Sequence, residues 1–152
     1  MVRDQADELA ELRRRQVAAN PGDAYAWHNL AAALNDRNDR REALWAAQKA
    51  LELGLDAAET WVLMARAHRG LGQLDDAEAA YGNALCRRPD LFVARQELAQ
   101  LIWRRSGDVT RALEVLPYSE HDGAPRILAQ RVSLLEAAGR LAEADREVSA
   151  AL

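Results

Sequence analysis

Three histidines and one cysteine are the side chains of this sequence that most readily bind metals or act as nucleophiles: His28, His68, His121 and Cys86. A metal site or a catalytic dyad needs several such groups in a recognisable pattern. The sequence contains no Gly-x-Ser-x-Gly, His-Glu-x-x-His or Cys-x-x-Cys motif and no glycine-rich phosphate-binding loop. It therefore predicts no catalytic residue, no cofactor and no metal site, and the protein is not expected to be an enzyme.

His121 has the neighbours that most resemble a metal-binding set, because it lies between Glu120 and Asp122. Adjacent loop residues seldom converge on one ion, so an ordinary polar loop is the favoured interpretation. Cys86 has no second cysteine to pair with, and it is predicted to be a small, half-buried residue late in a helix. His68 is predicted to pack between helices through a hydrogen bond.

Length and charge limit the possible partners. The chain has 152 residues, with 24 acidic and 20 basic side chains and a formal net charge of −4. This balance gives no global field that favours nucleic acid or anionic lipid. The chain also has no apolar run of membrane-spanning length and no export signal at its charged N-terminus, so a cytoplasmic location is expected.

The stretch from residue 61 to 89 shows how these side chains are positioned. Apolar and aromatic residues recur there at the spacing of two helix faces. The first face consists of Trp61, Met64, Ala65 and His68, and the second of Ala77, Tyr81 and Ala84. Gly72 separates the two helices and Pro89 ends the second. Since helices of about four turns are marginal alone in water, each must bury its face against the other and against a neighbouring pair.

The same pattern occurs earlier in the chain. Trp27 precedes Trp61 by thirty-four residues, Ala43 precedes Ala77 by the same interval, and so does Ala50 with respect to Ala84. This period, with its aromatic and alanine positions and its terminal proline, resembles the tetratricopeptide repeat. The turn from Gly72 to Ala77 resembles that of the family, and the segment from Gly139 to Ala144 echoes it.

The resemblance implies an all-α fold, a right-handed superhelical α-α solenoid of about three to four helix hairpins preceded by an N-terminal capping helix. Residues 1–152 are expected to form a single domain. Its predicted segments are the N-terminal helix at 1–20, repeat 1 at 24–55, repeat 2 at 58–89, an irregular repeat 3 at 92–123 and repeat 4 at 125–152.

Acidic residues at the helix starts are predicted to be caps and not catalytic pairs. Asp23 precedes the first helix of repeat 1. Asp39 with Glu42, and Asp56 with Glu59, have the spacing of a capping box. Their recurrence at equivalent places of the repeat favours a structural role.

Repeat 3 departs from the pattern. Arg95 stands in the tryptophan position, and the later residues are displaced by an insertion near Trp103. Pro117 is predicted to end the second helix after about two turns, because proline lacks the backbone donor and restricts the preceding residue. Tyr118 to Pro125 should then be an extended connection and a possible contact site.

Repeat 4 stops at Leu152 without the polar outer helix that usually closes such arrays. The natural chain is therefore expected to continue, or the end to be covered by another subunit. Self-association through this helix is one possible outcome.

In the family that this chain resembles, the first helix of each repeat lines a concave groove. The positions carried over are Tyr25, His28, Asn35, Glu59, Arg66, Arg69, Gln96, Gln100, Trp103 and Arg104. Arg66 and Arg69 lie one turn apart, and paired guanidiniums suit a carboxylate, which predicts an acidic peptide as partner. Alternatively, both arginines are solvated or paired with Asp36 or Glu97.

Three functions remain open. The resemblance implies a protein-protein interaction module that binds a peptide or partner domain in the groove. The arrangement is also similar to repeat segments that bacterial proteins place ahead of a catalytic domain, such as an oxygenase or transferase, which would then follow Leu152. The third possibility is a self-assembling scaffold.

Overall fold

The computed structural model describes residues 2–118 and 125–152, with side chains described from residue 5 onward in the first helix. These residues form nine α-helices and no strand. The all-α helical repeat predicted from the sequence is confirmed. The chain divides into two compact units, Met1–Asp90 and Leu91–Leu152. His121 and most of the connection from Tyr118 to Pro125 lie outside the described residues.

The first unit contains five helices, which are α1 (Val2–Ala19), α2 (Ala24–Asp36), α3 (Arg40–Glu52), α4 (Ala58–Gly70) and α5 (Leu74–Arg87). Helices α2 and α3 form one hairpin, and α4 and α5 form the next. The hairpins meet where α3 packs on α4, and α2 also contacts α4. Helix α1 packs on α2 and covers the first hairpin.

The core of this unit contains most of the residues on the faces that the sequence pattern predicted, whereas Trp61 and His68 are only half-buried. Trp27, Leu30 and Leu34 of α2 have 8%, 2% and 0% of their surface exposed. Burial of one leucine side chain stabilises the folded state by roughly 1.5–3 kcal/mol. The facing residues on α3 and α5 are small, apart from the fully buried Tyr81, so the helix backbones can approach closely. These residues are Ala43, Ala47, Ala50, Ala77 and Ala84.

Short turns join the helices of each hairpin, and each contains a residue in the left-handed region. Gly72 has a φ of 74° and Gly139 a φ of 73°. The equivalent residue of the first hairpin is Asn38, with a φ of 66°. Asparagine tolerates this conformation better than most residues with a side chain.

The predicted caps divide into one that forms and two that do not. Asp23 accepts a hydrogen bond from the backbone N–H of Tyr25 at 3.0 Å, so its capping role is confirmed. The predictions of capping boxes at Asp39 and Asp56 are wrong, because neither box forms. Asp39 precedes α3 but makes no capping hydrogen bond, and its carboxylate lies 3.3 Å from Arg37. Helix α4 begins at Ala58, so Asp56 lies one residue too early to cap it.

Distant arginines explain why the two boxes do not form. Glu42, which would complete the first box, binds both Nε and Nη2 of Arg14 on α1, at 3.1 and 2.8 Å. Glu59, which would complete the second, pairs with Arg88. In both cases, the glutamate forms an ion pair with an arginine that is distant in the sequence instead of the local hydrogen bond.

The second unit contains α6 (Phe92–Ser106), α7 (Val109–Glu114), α8 (Pro125–Ala137) and α9 (Leu141–Ala150). Helix α6 has 15 residues, whereas α2 and α4 each have 13, in agreement with an insertion near Trp103. Helix α7 has six residues and ends before Pro117, as predicted. Helices α6 and α7 pack together, α8 pairs with α9, and α8 contacts both α6 and α7.

Helix α9 presents apolar side chains to solvent. Leu141 is 60% exposed and Val148 is 41% exposed, whereas Ala144 is buried against the rest of the unit. Among the described residues, no helix combines the length and the apolar character needed to cross a membrane.

Candidate functional site

Six of the ten predicted groove residues lie on α2 and α4, two helices of the first unit that contact each other. They are Tyr25, His28, Asn35, Glu59, Arg66 and Arg69. The structure separates them into residues that join the two helices and residues that remain accessible.

His28 joins α2 to α4 through a hydrogen bond between its Nδ1 and the Oγ1 of Thr60, at 3.0 Å. The half-buried position lowers the pKa of His28 below its ordinary value, because the charged ring would lose water. The negative charge of Glu59 raises the same pKa, but this effect is smaller. The imidazole is therefore neutral at physiological pH.

Asn35 forms the second link between these helices. Its Nδ2 donates to the carbonyl oxygen of Leu63 at 3.0 Å, and its Oδ1 accepts from Nη1 of Arg40, also at 3.0 Å. Only 5% of its surface is exposed. Asn35 thus fixes the position of α2 against α4 and does not offer its amide to a partner.

The accessible residues lie at the ends of the α2 and α4 pair. Tyr25, in the first turn of α2, is 66% exposed. Arg69, in the last turn of α4, is also exposed, and Arg66 lies one turn before it and is half-buried. Glu59 is exposed and paired with Arg88. An aromatic side chain and two guanidiniums therefore belong to helices whose spacing is set by the His28 and Asn35 hydrogen bonds.

The other four predicted residues belong to α6 in the second unit. Gln96, Gln100 and Trp103 are half-buried, and Arg104 is exposed in the last turn.

Sequence reasoning missed Thr60, which is fully buried and holds His28. A signal was present, because Thr60 occupies the repeat position that Ala26 and Ala94 occupy in the neighbouring repeats. A hydroxyl in place of a methyl group at a buried position must find a hydrogen-bonding partner.

Sequence reasoning also missed a cluster at the start of α4. Asp56 accepts from Nε1 of Trp61 at 2.7 Å and from Nη2 of Arg87 at 2.9 Å. The Arg87 guanidinium lies over the Trp61 ring, 4.8 Å from its centroid. Hydrogen bonds from Arg87 and, to a smaller extent, from Trp61 lower the pKa of Asp56. This cluster joins the two ends of the α4–α5 hairpin.

The histidine and cysteine predictions have different outcomes. His68 is half-buried and its Nδ1 lies 2.7 Å from Oε1 of Gln73, so the predicted hydrogen bond is confirmed, with a partner in the turn between α4 and α5. Cys86 is exposed, so the prediction that it is half-buried is wrong. It lies in the last turn of α5, just before the exposed Arg87. Within the described ranges, no group of three or more potential ligands could hold a metal ion.

Comparison with known proteins shows what this arrangement of hairpins is similar to. Residues 58–101 match the family model of the tetratricopeptide repeat. A comparison with curated protein sequences finds no match.

Solved structures share the fold at low sequence identity. MamA has a TM-score of 0.74 and 16% identity, covering 99% of this chain and 88% of its own. YrrB, described as a TPR protein with an unusual peptide-binding site, has a TM-score of 0.65 and 23% identity, with 93% and 74% covered. A thermophilic TPR protein of Thermus thermophilus has a TM-score of 0.69 and 20% identity, with 98% and 82% covered.

These matches confirm the resemblance predicted from the sequence. The chain has the helical repeat fold of solved tetratricopeptide repeat proteins, and its segment 58–101 matches the tetratricopeptide repeat family model by sequence.

Proposed function

We propose that the α2–α4 face of the first unit binds an extended peptide that carries acidic side chains. The observation that supports this most directly is the position of Tyr25 and Arg69, two exposed side chains at opposite ends of a helix pair that His28 and Asn35 hold together. A fixed surface loses little conformational entropy when a partner binds.

The spacing of these residues sets the length of the partner. Tyr25 holds the second place of its helix and Arg69 the twelfth place of the neighbouring one. Ten helical residues rise about 15 Å along one helix axis, and the axes of packed helices are about 8–10 Å apart. The two ends are therefore separated by about 18 Å, so a segment of about five to six extended residues would reach from the aromatic ring to the guanidiniums.

The chemistry of the partner follows from the side chains at each end. Arginine binds carboxylates through two parallel hydrogen bonds, and Arg66 and Arg69 are one turn apart on α4. Tyrosine offers a large apolar ring with a polar tip, a combination enriched at interfaces. YrrB, with the same fold, is described as having a peptide-binding site. An apolar residue followed by acidic residues is therefore the expected motif.

The experiment compares two fluorescein-labelled hexapeptides, one carrying glutamates and the other glutamines at the same positions, by fluorescence anisotropy. Wild type should bind the glutamate peptide more tightly. Arg66→Ala with Arg69→Ala should weaken that binding about 10- to 100-fold, since a hydrogen bond to a charged group contributes about 1.5–3 kcal/mol. Tyr25→Ala should weaken binding of both peptides.

Arg15→Ala is the matched control, because Arg15 is an exposed arginine on α1, outside the α2–α4 face. It should bind both peptides as wild type does. Equal affinity of wild type for the two peptides, or unchanged affinity in the double arginine variant, would refute the acidic-peptide proposal.

A further inference from the structure

A second set of arginines surrounds a cavity of about 610 Å³ beside the turn between α2 and α3. Four arginines and two acidic residues contribute to its lining. They are Arg14, Arg37, Arg40, Arg41, Asp39 and Glu42. The charged side chains of the lining therefore carry a net charge of two positive units. None of these residues belongs to the peptide-binding face proposed above.

Two of the four arginines are compensated by carboxylates. Arg14 binds Glu42 with an Nη2 to Oε2 distance of 2.8 Å. Arg37 lies 3.3 Å from a carboxylate oxygen of Asp39 and 2.9 Å from one of Asp7 on α1. The charges of Arg40 and Arg41 remain to be balanced, and Arg41 is exposed to solvent.

Arg40 is held by neutral groups alone. Its Nη1 donates to the backbone oxygen of Asn35 at 2.9 Å and to Oδ1 of the same residue at 3.0 Å. Its Nη2 donates to Oδ1 of Asn38 at 2.6 Å. Throughout the described part of the chain, no carboxylate lies within ion-pair distance of this half-buried guanidinium. A guanidinium has five donors, so two N–H groups are left for another acceptor.

Gly70, the last residue of α4, makes room for this guanidinium. A Cβ atom added at Gly70 would lie 2.5 Å from Nε of Arg40 and 2.6 Å from its Cδ. Any larger residue would therefore push the Arg40 side chain away from α4. The glycine and the two asparagines hold a positive charge in place beside an open cavity, as a preorganised oxyanion site requires.

We propose that this cavity binds a phosphate group, with Arg40 as the positioned donor and Arg41 as the second cation. Guanidinium donors match phosphate oxygens in geometry. A phosphate monoester carries about −1.5 to −2 charges at pH 7, close to the net charge of the lining, whereas one carboxylate carries only −1. The phosphate could belong to a small phosphate monoester or to a phosphorylated side chain of a protein.

Inorganic phosphate is the probe, titrated into ¹⁵N-labelled protein while sodium chloride keeps the ionic strength constant. Saturable shifts should appear in the amide signals of Asn38, Arg41, Gly70 and Leu71. Arg40→Gln should lower the phosphate affinity at least about tenfold. Saturation at the same concentration in Arg40→Gln and wild type, or shifts that never saturate, would overturn the proposal.

Gly70→Ala gives a test that leaves Arg40 present. Alanine favours a helix over glycine, so the fold should be retained while the added Cβ displaces the guanidinium. Gly82→Ala in α5 is the matched control, because a Cβ at that position would meet no atom within 4 Å beyond its chain neighbours and the backbone of its own helix. We expect at least about a tenfold loss of affinity in Gly70→Ala and none in Gly82→Ala. If Arg40→Gln does not fold, this pair decides the question, and equal affinity in both overturns the proposal.

Two further arms identify the source of the phosphate and separate this site from the peptide face. A phosphoserine peptide that binds at least tenfold more tightly than inorganic phosphate, while its unphosphorylated form does not bind, would assign the site to a phosphorylated chain. Equal affinity for the phosphoserine peptide and inorganic phosphate would assign it to a small phosphate monoester. The Arg66→Ala and Arg69→Ala changes should leave the phosphate titration unchanged, so either proposal can fail alone.

Discussion

Arg131 on α8 should contribute more to the stability of the second unit than any exposed arginine there. Its Nη1 donates to the backbone oxygens of Leu113 and Leu116, at 3.1 and 2.8 Å. Its Nε lies 2.9 Å from Oε2 of Glu147 on α9, and its Nη2 lies 2.5 Å from Oε1. One side chain therefore binds the end of α7 and a residue of α9.

Of these two oxygens, that of Leu113 also accepts from the backbone N–H of Leu116 at 3.0 Å, whereas that of Leu116 lies beyond the last residue of α7. Pro117 ends α7 after six residues, and the last carbonyls of any helix have no partner within that helix. Arg95 on α6 donates to a third one, that of Val115, at 3.1 Å. Since α7 is only six residues long, we expect these bonds, together with burial of Leu116, to hold it in place.

The magnitude follows from the number of bonds. A hydrogen bond from a charged donor contributes about 1.5–3 kcal/mol, but a carbonyl that loses its partner near the surface can bind water instead. Arg131→Ala should therefore lower the free energy of unfolding by about 2–3 kcal/mol. Glu147→Gln keeps both carbonyl bonds and removes only a partly exposed ion pair, which predicts a loss of about 1 kcal/mol or less.

Urea denaturation followed by circular dichroism gives these free energies, and hydrogen exchange of residues 109–116 locates the change. In Arg131→Ala, α7 should exchange faster than in Glu147→Gln. Arg146→Ala removes an exposed arginine of α9 and should change stability by less than about 0.5 kcal/mol. If Arg131→Ala costs no more than Glu147→Gln, the carbonyl bonds do not hold α7 and this account of the second unit is wrong.

Three further predictions concern the first unit. Gly82→Ala should raise the unfolding free energy by about 0.5–1 kcal/mol in urea denaturation, because the site is helical and open, whereas Gly72→Ala, at a φ of 74°, should lower it by about 1 kcal/mol. Burial lowers the pKa of His28 in the folded state. The contribution of the neutral ring to stability is therefore complete above its ordinary pKa of 6.5 and is lost as the pH falls through the folded pKa. His28→Gln should remove that part of the pH dependence in thermal melts. The pKa of Asp56 is lowered chiefly by the Arg87 hydrogen bond. The contribution of the Asp56 carboxylate to stability is therefore present above its ordinary pKa of 3.8 and is lost as the pH falls through the folded pKa. Asp56→Asn should lose less stability than wild type on acidification.

The helices could be predicted from the sequence because their pattern is local and repeated. Trp27 and Trp61 occupy equivalent places, and the alanines on α3 and α5 recur at the same interval. Since each hairpin packs against its neighbour in the same way, one recognised unit predicts the next. Pro117 predicted the early end of α7 for an equally local reason.

The side-chain contacts between helices could not be predicted, because they join residues that are far apart in the sequence. Glu42 has the spacing of a cap, yet Arg14 of α1 binds it. His28 and Asn35 were assigned to a ligand-binding face by their place in the repeat, and both are engaged in hydrogen bonds between helices. The position of a residue in the repeat predicts which way its side chain points. It does not predict which residue of a neighbouring helix forms a hydrogen bond with that side chain.

The alanines at the contacts between helices determine how the hairpins pack, whereas the residues proposed to bind a partner lie on the outward face of α2 and α4. Ala43, Ala47, Ala77 and Ala84 have no exposed surface, and a methyl group has no alternative rotamer with which to accommodate a change in its neighbour. A larger side chain there would clash with the facing helix and force two hairpins apart. The outward residues of α2 and α4 face no such restriction. New partner preferences could thus arise at Tyr25 or Arg69 while the interior stays the same, which makes the first unit a suitable starting point for engineering specificity.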